Sequence, residues 1–256
     1  MRLVTWNLNS IRARTDKLRG WLEAERPDVL LLQETKVEDA GFPHALFTDL
    51  GYQVVIHGQK SYNGVAIAAL TTPTDVTIGF GASDAALDEQ ARLIAATVDG
   101  VRVVSVYVPN GQAVGTDKYE YKLAWLAALR RWIDRHDRAQ PLVIGGDWNI
   151  APDDRDVHDP KRWAGKVLCS EPERAALREL MAWGLTDVYR AQHPDGRAYS
   201  WWDYRTIAFF KDQGLRIDHF LADATIAARV TACAIDREAR KGRDASDHAP
   251  VSITIA

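Results

Sequence analysis

The sequence has few cysteines, no long apolar run and little net charge. Only Cys169 and Cys233 are present among 256 residues, which excludes a disulfide framework and a CxxC metal site. No apolar stretch approaches the roughly 20 residues that a membrane-spanning helix needs. The start, MRLVTWNLNS, lacks the basic and apolar regions of a signal peptide. We therefore expect a protein of the reducing cytoplasm that makes no membrane contact.

The formal net charge is −3, which argues mildly against a simple polyanion binder. The objection is weak, because a hydrolase of phosphate esters needs carboxylates for its metal, and these offset basic residues elsewhere. Basic side chains do cluster near both ends of the chain: Arg12, Arg14, Lys17, Arg19, and later Arg237, Arg240, Lys241, Arg243. Net charge therefore leaves a nucleic-acid substrate open.

Strand-like stretches recur along the chain and alternate irregularly with helical ones. The predicted strands cover residues 3–7, 28–34, 52–57, 64–70, 92–109, 141–147, 216–222, 229–236 and 251–256. Asp99-Gly100 in the fifth stretch is typical of a hairpin turn. Helices are predicted around Leu18 and Leu22, over 116–135, and from Ser170 to Gly184. This mixed order predicts a single α/β domain over residues 1–256, with two packed sheets and helices outside.

The stretch PLVIGGDWNIAP shows how the predicted strands end. An apolar run leads into Gly145, Gly146, Asp147 and Asn149. Asp and Asn after a strand are also common turn residues, so this stretch alone leaves a catalytic and a structural interpretation open. Other predicted strands end in or next to polar residues as well: Asn7, Gln33, Glu34, Tyr107, Asn110, Asp218, Asp247 and His248. Neighbouring strands bring their ends together, so we expect these groups to share one crevice.

This set of side chains suits hydrolysis at phosphorus with a hard divalent cation. Mg²⁺ prefers oxygen ligands, and the predicted metal region comprises Asn7, Glu34, Asp147, Asn149, Asp247 and His248. The histidines show no HxxxH spacing, which argues against zinc. Asp147 can orient or deprotonate water, and Tyr107 and Asn149 can donate to phosphate oxygens. Asp218 is the candidate partner that holds the tautomer of His248.

Each of these residues also has a plain structural interpretation. Glu34 pairs with Lys36, or Asp218 with Arg216, in the structural alternative. Tyr107 is then an ordinary strand aromatic, and Asn7 caps the helix that follows it. Taken singly these alternatives are favoured, but taken together they do not explain six polar strand ends.

Seven motifs resemble the exonuclease III branch of the endonuclease/exonuclease/phosphatase superfamily. They are TWNLNSIRAR, LLQETK, YNGVAI, VYVPNG, GGDWNIAP, RIDHFL and SDHAPV, and they span residues 5 to 251. The resemblance implies a four-layered α/β sandwich of two mixed sheets flanked by helices. It also implies a metal-dependent phosphodiesterase that cleaves duplex DNA 5′ to abasic sites. Exonuclease activity from the 3′ end and removal of 3′-phosphates and other 3′-blocking groups are further implied activities.

The resemblance also implies roles for individual residues. Tyr107, Asp147, Asn149, Asp218 and His248 match the catalytic set, and Asn7, Glu34 and Asp247 match the metal region, with Mg²⁺ as the expected ion and Mn²⁺ as the alternative. The matched DNA-contact positions are Asn9, which is Asp in some members, and Arg12, Lys36, Tyr62, Asn110, Trp201 and Leu215. Trp201 matches the aromatic that packs against a flipped abasic sugar, and Leu215 replaces a tryptophan of some members. Ala113 stands where some members place a wedge arginine.

Two other functions compete with this prediction. A lipid or inositol phosphatase of the same superfamily would share the metal site and the His–Asp pair but not a DNA-sized groove. A catalytically silent nucleic-acid-binding module is the second alternative, and the candidates present at every catalytic position argue against it. The expected state is a monomer that acts on duplex DNA.

Overall fold

The computed structural model describes residues 1–256, apart from the side chain of Ser83. Its first six-stranded sheet has the order β11-β12-β1-β2-β4-β3. These strands are β1 (Arg2–Asn7), β2 (Val29–Gln33), β3 (Gln53–His57), β4 (Val65–Ala69), β11 (Val230–Ile235) and β12 (Val251–Ile255). Its second six-stranded sheet has the order β5-β6-β7-β8-β10-β9. These strands are β5 (Thr74–Ile78), β6 (Leu93–Val98), β7 (Val101–Tyr107), β8 (Leu142–Asp147), β9 (Thr186–Asp187) and β10 (Asp218–Ala222).

Three of the helices are longer than two turns, and the sequence predicted all three. They are α1 (Thr15–Glu25), α3 (Asp117–Asp134) and α5 (Glu171–Ala182). Ser170 begins α5 with a capping box, since its side chain and that of Glu173 each bond the other's backbone amide. The shorter helices are α2 (His44–Thr48), α4 (Pro160–Trp163), α6 (Val188–Gln192) and α7 (Ala224–Ala227).

Alternating side chains on the strands build four layers. In β2, Val29 and Leu31 face the core between the sheets, while Leu30 and Leu32 face α1 and α2 on the outside. The second sheet packs in the same way against α3 and α5. Side chains of a strand point alternately to its two faces, so a strand covered on both sides is apolar throughout. The predicted two-sheet sandwich flanked by helices is confirmed.

Gly145 and Gly146 mark a place where the packing leaves no room for a side chain. A Cβ on Gly145 would lie 2.5 Å from the Phe220 ring and 2.7 Å from Leu31 of the opposite sheet. A Cβ on Gly146 would lie 2.0 Å from the Val106 carbonyl oxygen. The two glycines therefore let β8 approach its neighbours closely just before Asp147.

The two sheets place their central strands in parallel pairs. β1 and β2 run parallel with Asn7 opposite Gln33, and β7 and β8 run parallel with Tyr107 opposite Asp147. The hairpin predicted at Asp99-Gly100 is present, with φ of 49° and 80° at these residues. Strands β5 and β9 were not predicted, because β5 is exposed along its length and β9 has two residues.

One detail of the prediction was wrong. Asp218 does not end a strand but begins β10, which runs antiparallel to β8 and pairs Asp218 with Asp147. The start of an antiparallel strand lies beside the end of its neighbour, so Asp218 still reaches the same edge of the sheet. Among the residues described, no helix combines the length and the apolar character needed to cross a membrane.

Candidate active site

Asn7 joins the two sheets at the edge where their polar strand ends meet. Its side chain is fully buried. The Nδ2 group donates to Glu34 Oε1 at 2.8 Å and to Asp147 Oδ2 at 2.8 Å. Asn7 Oδ1 accepts the backbone amide of Asn9 at 2.9 Å. Asn7 therefore orients two carboxylates from different sheets, and it does not cap the helix that follows.

Glu34, Asp147 and His248 form a cluster that can hold a cation. One potential ligand atom from each lies within 4.8 Å of the other two. Burial, together with the negative charges of Asp218 and Glu34, raises the pKa of Asp147 to about 7 against the opposing effect of His248. A cation between the carboxylates would relieve this repulsion. Two carboxylate oxygens suit Mg²⁺ or a similarly hard ion, so the residues present fit the expected metal.

His248 is held by Asp218 in a buried dyad. The ring Nδ1 lies 2.9 Å from Asp218 Oδ2, and Nε2 points toward Asp147 Oδ2 at 3.7 Å. Burial alone would favour the neutral ring, but Asp218 and then Asp147 raise the pKa of His248 to about 10. His248 is therefore protonated at neutral pH, with its free N–H directed into the site.

The structural alternative for Asp218 fails, because Arg216 has other partners. Its guanidinium pairs with Asp156 at 2.6 Å and with Asp187 at 2.7 Å. It also contacts His219 Nδ1 at 2.9 Å. Asp218 is thus free of Arg216 and directed to His248. By contrast, the alternative pairing of Glu34 is present, since Lys36 Nζ lies 2.8 Å from Glu34 Oε2.

Tyr107 and Asn149 supply hydrogen-bond donors beside the carboxylates. Burial, followed by the charges of Glu34 and Asp147, raises the pKa of the Tyr107 phenol well above its usual value. The phenol therefore remains a donor. Asn149 Nδ2 donates to Val108 O at 3.0 Å and lies 3.2 Å from Asp147 Oδ2. Asn110 Nδ2 in turn donates to Asn149 Oδ1 at 3.0 Å.

Asp247 lies apart from the three-residue cluster. Its Oδ1 accepts from Asn9 Nδ2 at 3.0 Å, and its Oδ2 accepts from Trp201 Nε1 at 3.0 Å. Lys36 Nζ donates to Asn9 Oδ1 at 2.5 Å. Asp247 therefore connects the metal region to Trp201, and the structure does not group it with Glu34, Asp147 and His248.

Comparison with known proteins agrees with this geometry. Residues 4–248 match the model of the Endonuclease/Exonuclease/phosphatase family. Exodeoxyribonuclease III of Haemophilus influenzae is 35% identical over 264 residues, covering 98% of this chain and 98% of that protein. This chain belongs to the endonuclease/exonuclease/phosphatase family.

Solved structures of similar proteins share the whole fold. The 3′ phosphatase NExo from Neisseria, bound to a product DNA hairpin, is 42% identical with a TM-score of 0.95, covering 100% of this chain and 99% of that one. An AP endonuclease from Archaeoglobus fulgidus is 38% identical with a TM-score of 0.95 and the same coverage. These relatives do not favour the lipid or inositol phosphatase alternative.

The DNA-contact positions expected for this family surround the cluster, with one exception. Tyr62 is 70% exposed and lines, with Asn110 and Tyr107, an open cleft of about 820 Å³. Arg12 and Lys36 line a neighbouring depression of about 200 Å³. Leu215 is the exception, because it is fully buried. Its assignment as a DNA contact needs correction, since it has no surface to offer.

Leu215 instead supports Trp201. The two residues pair through an isolated β-bridge and pack in one apolar cluster with Val157 and Leu168. Trp201 is half-buried, and it lines a depression of about 310 Å³ with Trp163 and Arg205. Trp202 is fully buried and packs with Phe209 in a separate cluster. Trp201 therefore lies at the wall of a depression, whereas Trp202 belongs to the core.

Sequence reasoning missed some residues that shape this family site. Arg92 stacks on the Tyr107 ring, 4.5 Å from its centroid, and donates to the Tyr107 carbonyl oxygen at 3.1 Å. The sequence signal for Arg92 was its position directly before the β6–β7 hairpin. Backbone strain is another sign of a functional site, because Asn9, Glu34, Lys36 and Asn149 all have φ between 48° and 54°.

Proposed function

We propose that this chain is a metal-dependent phosphodiesterase of DNA repair that cleaves duplex DNA 5′ to abasic sites. We further propose that it removes 3′-phosphates and other blocking groups and shortens DNA from the 3′ end. The observation that carries this proposal is the convergence of Glu34 and Asp147 with the His248–Asp218 dyad. Similarity to an exodeoxyribonuclease III, a 3′ phosphatase and an AP endonuclease supports the DNA substrate.

We assign the cation, Mg²⁺ or Mn²⁺, to Glu34 and Asp147, with Asn7 holding both carboxylates in place. The predicted metal region also includes Asn149, Asp247 and His248, but Asp247 bonds Asn9 and Trp201 instead, and a protonated His248 has no lone pair to offer a metal. A bound divalent ion neutralises charge on the scissile phosphate.

We assign activation of water to Asp147. Asp147 Oδ2 accepts from Asn7 and faces His248 Nε2 at 3.7 Å, so the carboxylate is fixed where it can orient and deprotonate a water. Protonated His248 then donates from Nε2 to a phosphate oxygen, while Asp218 holds the ring by Nδ1. Tyr107 and Asn149 donate to the other oxygens as negative charge builds in the transition state.

We assign substrate binding to the residues around this cluster. Arg12, Lys36, Tyr62 and Asn110 contact the backbone and position the duplex without reading its sequence. An abasic nucleotide has lost its base and costs less to rotate out of the helix. The half-buried face of Trp201 provides an apolar wall for the extruded sugar.

The proposal is tested by kinetics on matched duplexes that carry an abasic site, a 3′-phosphate or a plain 3′ end. We expect metal-dependent cleavage of the abasic duplex and release of 3′-phosphate, both lost on addition of a chelator. Inositol phosphates should not be hydrolysed. Hydrolysis of inositol phosphates without DNA cleavage would establish the phosphatase alternative, and DNA binding without turnover would establish the silent module.

We also propose that the protein acts as a monomer in the cytoplasm. Cys169 and Cys233 are both buried free thiols, which suits a reducing compartment. Light scattering at several concentrations tests the monomer, and a dimer mass at micromolar concentration would overturn it.

A further inference from the structure

Lys122 is a charged residue on the buried face of α3. The apolar stripe of this helix consists of Trp125, Leu126, Leu129 and Ile133, and Lys122 lies on the same side. Its side chain has no exposed surface. An ionised lysine in such a place is costly unless its three N–H groups find partners. These partners show what the residue does.

The Lys122 ammonium group binds the loops of two candidate functional residues. Its Nζ donates to the backbone carbonyl oxygen of Asn149 at 2.7 Å and contacts that of Asn110 at 3.3 Å. Asn149 follows β8 and Asn110 follows β7, so the buried Lys122 side chain binds the backbone of both loops. On the front, the two side chains are joined by the bond from Asn110 Nδ2 to Asn149 Oδ1.

Glu173 of α5 provides the counter-charge. It forms a fully buried ion pair with Lys122. Glu173 also accepts the backbone amides of Leu168 at 3.0 Å and Ser170 at 3.1 Å. Leu168 has a φ of 75°, a backbone conformation that a leucine adopts only when its surroundings enforce it. The pair is therefore anchored at the Glu173 end by the backbone that precedes α5.

Gly111 fits this arrangement closely. A Cβ at this position would lie 3.1 Å from Lys122 Cδ, and Gly111 has a φ of 88°. The loop after Asn110 therefore turns directly over the lysine side chain. The contact leaves little freedom for Asn110 or Lys122 to shift independently.

We propose that Lys122, held by Glu173, is a positioning residue that sets the Asn149 and Asn110 loops for the chemical step. This inference rests on the proposed function only for its effect on catalysis. Its effect on the two loops is independent of which substrate is used. Small displacements of a catalytic donor are enough to slow a reaction by about 100-fold.

The test removes both charges together, because a single substitution would leave an unpaired buried charge. The variant Lys122→Met/Glu173→Gln keeps an acceptor for one of the Leu168 and Ser170 amides, which bind different oxygens of Glu173, and gives the Asn149 and Asn110 carbonyls no donor. Replacing a buried ion pair by uncharged groups of similar volume is often neutral for stability. We therefore expect the variant to fold, with a melting temperature lowered by only a few degrees for the hydrogen bonds that it loses.

Two readouts separate positioning from folding. Hydrogen exchange should become at least about tenfold faster at the amides of residues 110–112 and 149–151, with exchange in β7 and β8 unchanged. Single-turnover cleavage should slow by about tenfold or more while DNA affinity stays constant. The control is Arg130→Met/Asp134→Asn, which removes a partly exposed pair from the same helix and should change neither readout.

Wild-type exchange in both loops would overturn the proposal, and so would wild-type single-turnover cleavage by a variant with loosened loops. If the wild-type protein cleaves no DNA, the proposed function fails, yet the exchange measurement still decides whether Lys122 sets the loops. If the Met variant does not fold, Lys122→Gln/Glu173→Gln is measured in the same way, since its shorter side chain cannot reach both carbonyl oxygens.

Discussion

His248 and Asp218 face each other at 2.9 Å within a buried part of the site. They come from opposite sheets, since Asp218 begins β10 and His248 precedes β12. They are 30 residues apart in sequence, and no single helix or strand contains both. The dyad therefore forms only when the two sheets pack with their edges aligned.

The Asp218→Asn substitution should slow single-turnover cleavage and leave DNA affinity nearly unchanged. Asp218 helps to raise the pKa of His248 to about 10, so its loss should lower that pKa and let the ring deprotonate at lower pH. The loss of activity at alkaline pH should then begin earlier. NMR titration of the His248 ring measures the expected fall in its pKa. An unchanged pKa together with unchanged cleavage would contradict the Asp218–His248 dyad.

The Asp147→Asn substitution should reduce the chemical step by about 100-fold or more, because the general base is lost. It should also raise the melting temperature, since Asp147 is a buried carboxylate that faces Asp218 and Glu34. Catalytic residues commonly lower stability in this way. Calorimetry and single-turnover kinetics measure the two effects. Normal cleavage by this variant would show that Asp147 in the GGDWN stretch is only a turn residue.

The Glu34→Gln substitution should weaken metal binding and be partly rescued by added Mg²⁺, because an anionic ligand is replaced by a neutral one of equal size. Glu34 also pairs with Lys36, so Lys36→Met is the matched control. Lys36→Met should keep the wild-type dependence on Mg²⁺ concentration. Equal metal dependence in Glu34→Gln and the wild type would remove Glu34 from the site.

The Trp201→Ala substitution should mainly affect activity, whereas Trp202→Ala should mainly affect stability. Trp202 is fully buried and should lose roughly 3–5 kcal/mol of unfolding free energy when truncated. Trp201→Ala should change stability much less but reduce abasic-site cleavage more than 3′-phosphate removal. Trp201→Phe keeps an aromatic ring but removes the hydrogen bond to Asp247, so it separates the effect of the ring from the effect of the bond. An equal loss of both activities with a sharp fall in melting temperature would assign Trp201 to the core.

His219 should make the protein less stable in mild acid. It is fully buried beside Arg216, and burial followed by that charge lowers its pKa below 6.5. The unfolded chain therefore binds a proton first as pH falls below about 6.5, and stability drops by up to about 1.4 kcal/mol per pH unit. Between about pH 7.5 and 5.5, the unfolding free energy from urea titrations should change less steeply with pH in His219→Gln than in the wild type. Exposed His44→Gln should keep the wild-type slope, and an identical slope in all three proteins would contradict this assignment.

Sequence patterns predicted the sheets and the edge at which polar groups meet, because apolar runs and their polar ends are local features. They failed where a residue's role depends on a distant neighbour. Lys122 has the sequence appearance of a solvent-facing helical lysine, and only the docking of α5 gives it Glu173. Arg216 is the first residue of the RID motif, yet its partners Asp156 and Asp187 lie far along the chain. Leu215 was expected at the surface, and the packing of Val157 and Trp201 buries it.

The bond from Asn7 to Asp147 and the dyad of Asp218 and His248 both cross between the sheets. A slide or rotation of one sheet on the other would break both contacts at once. The site is therefore assembled only while the two sheets keep their packing, so a partly unfolded chain whose sheets have separated carries no assembled site with which to nick DNA.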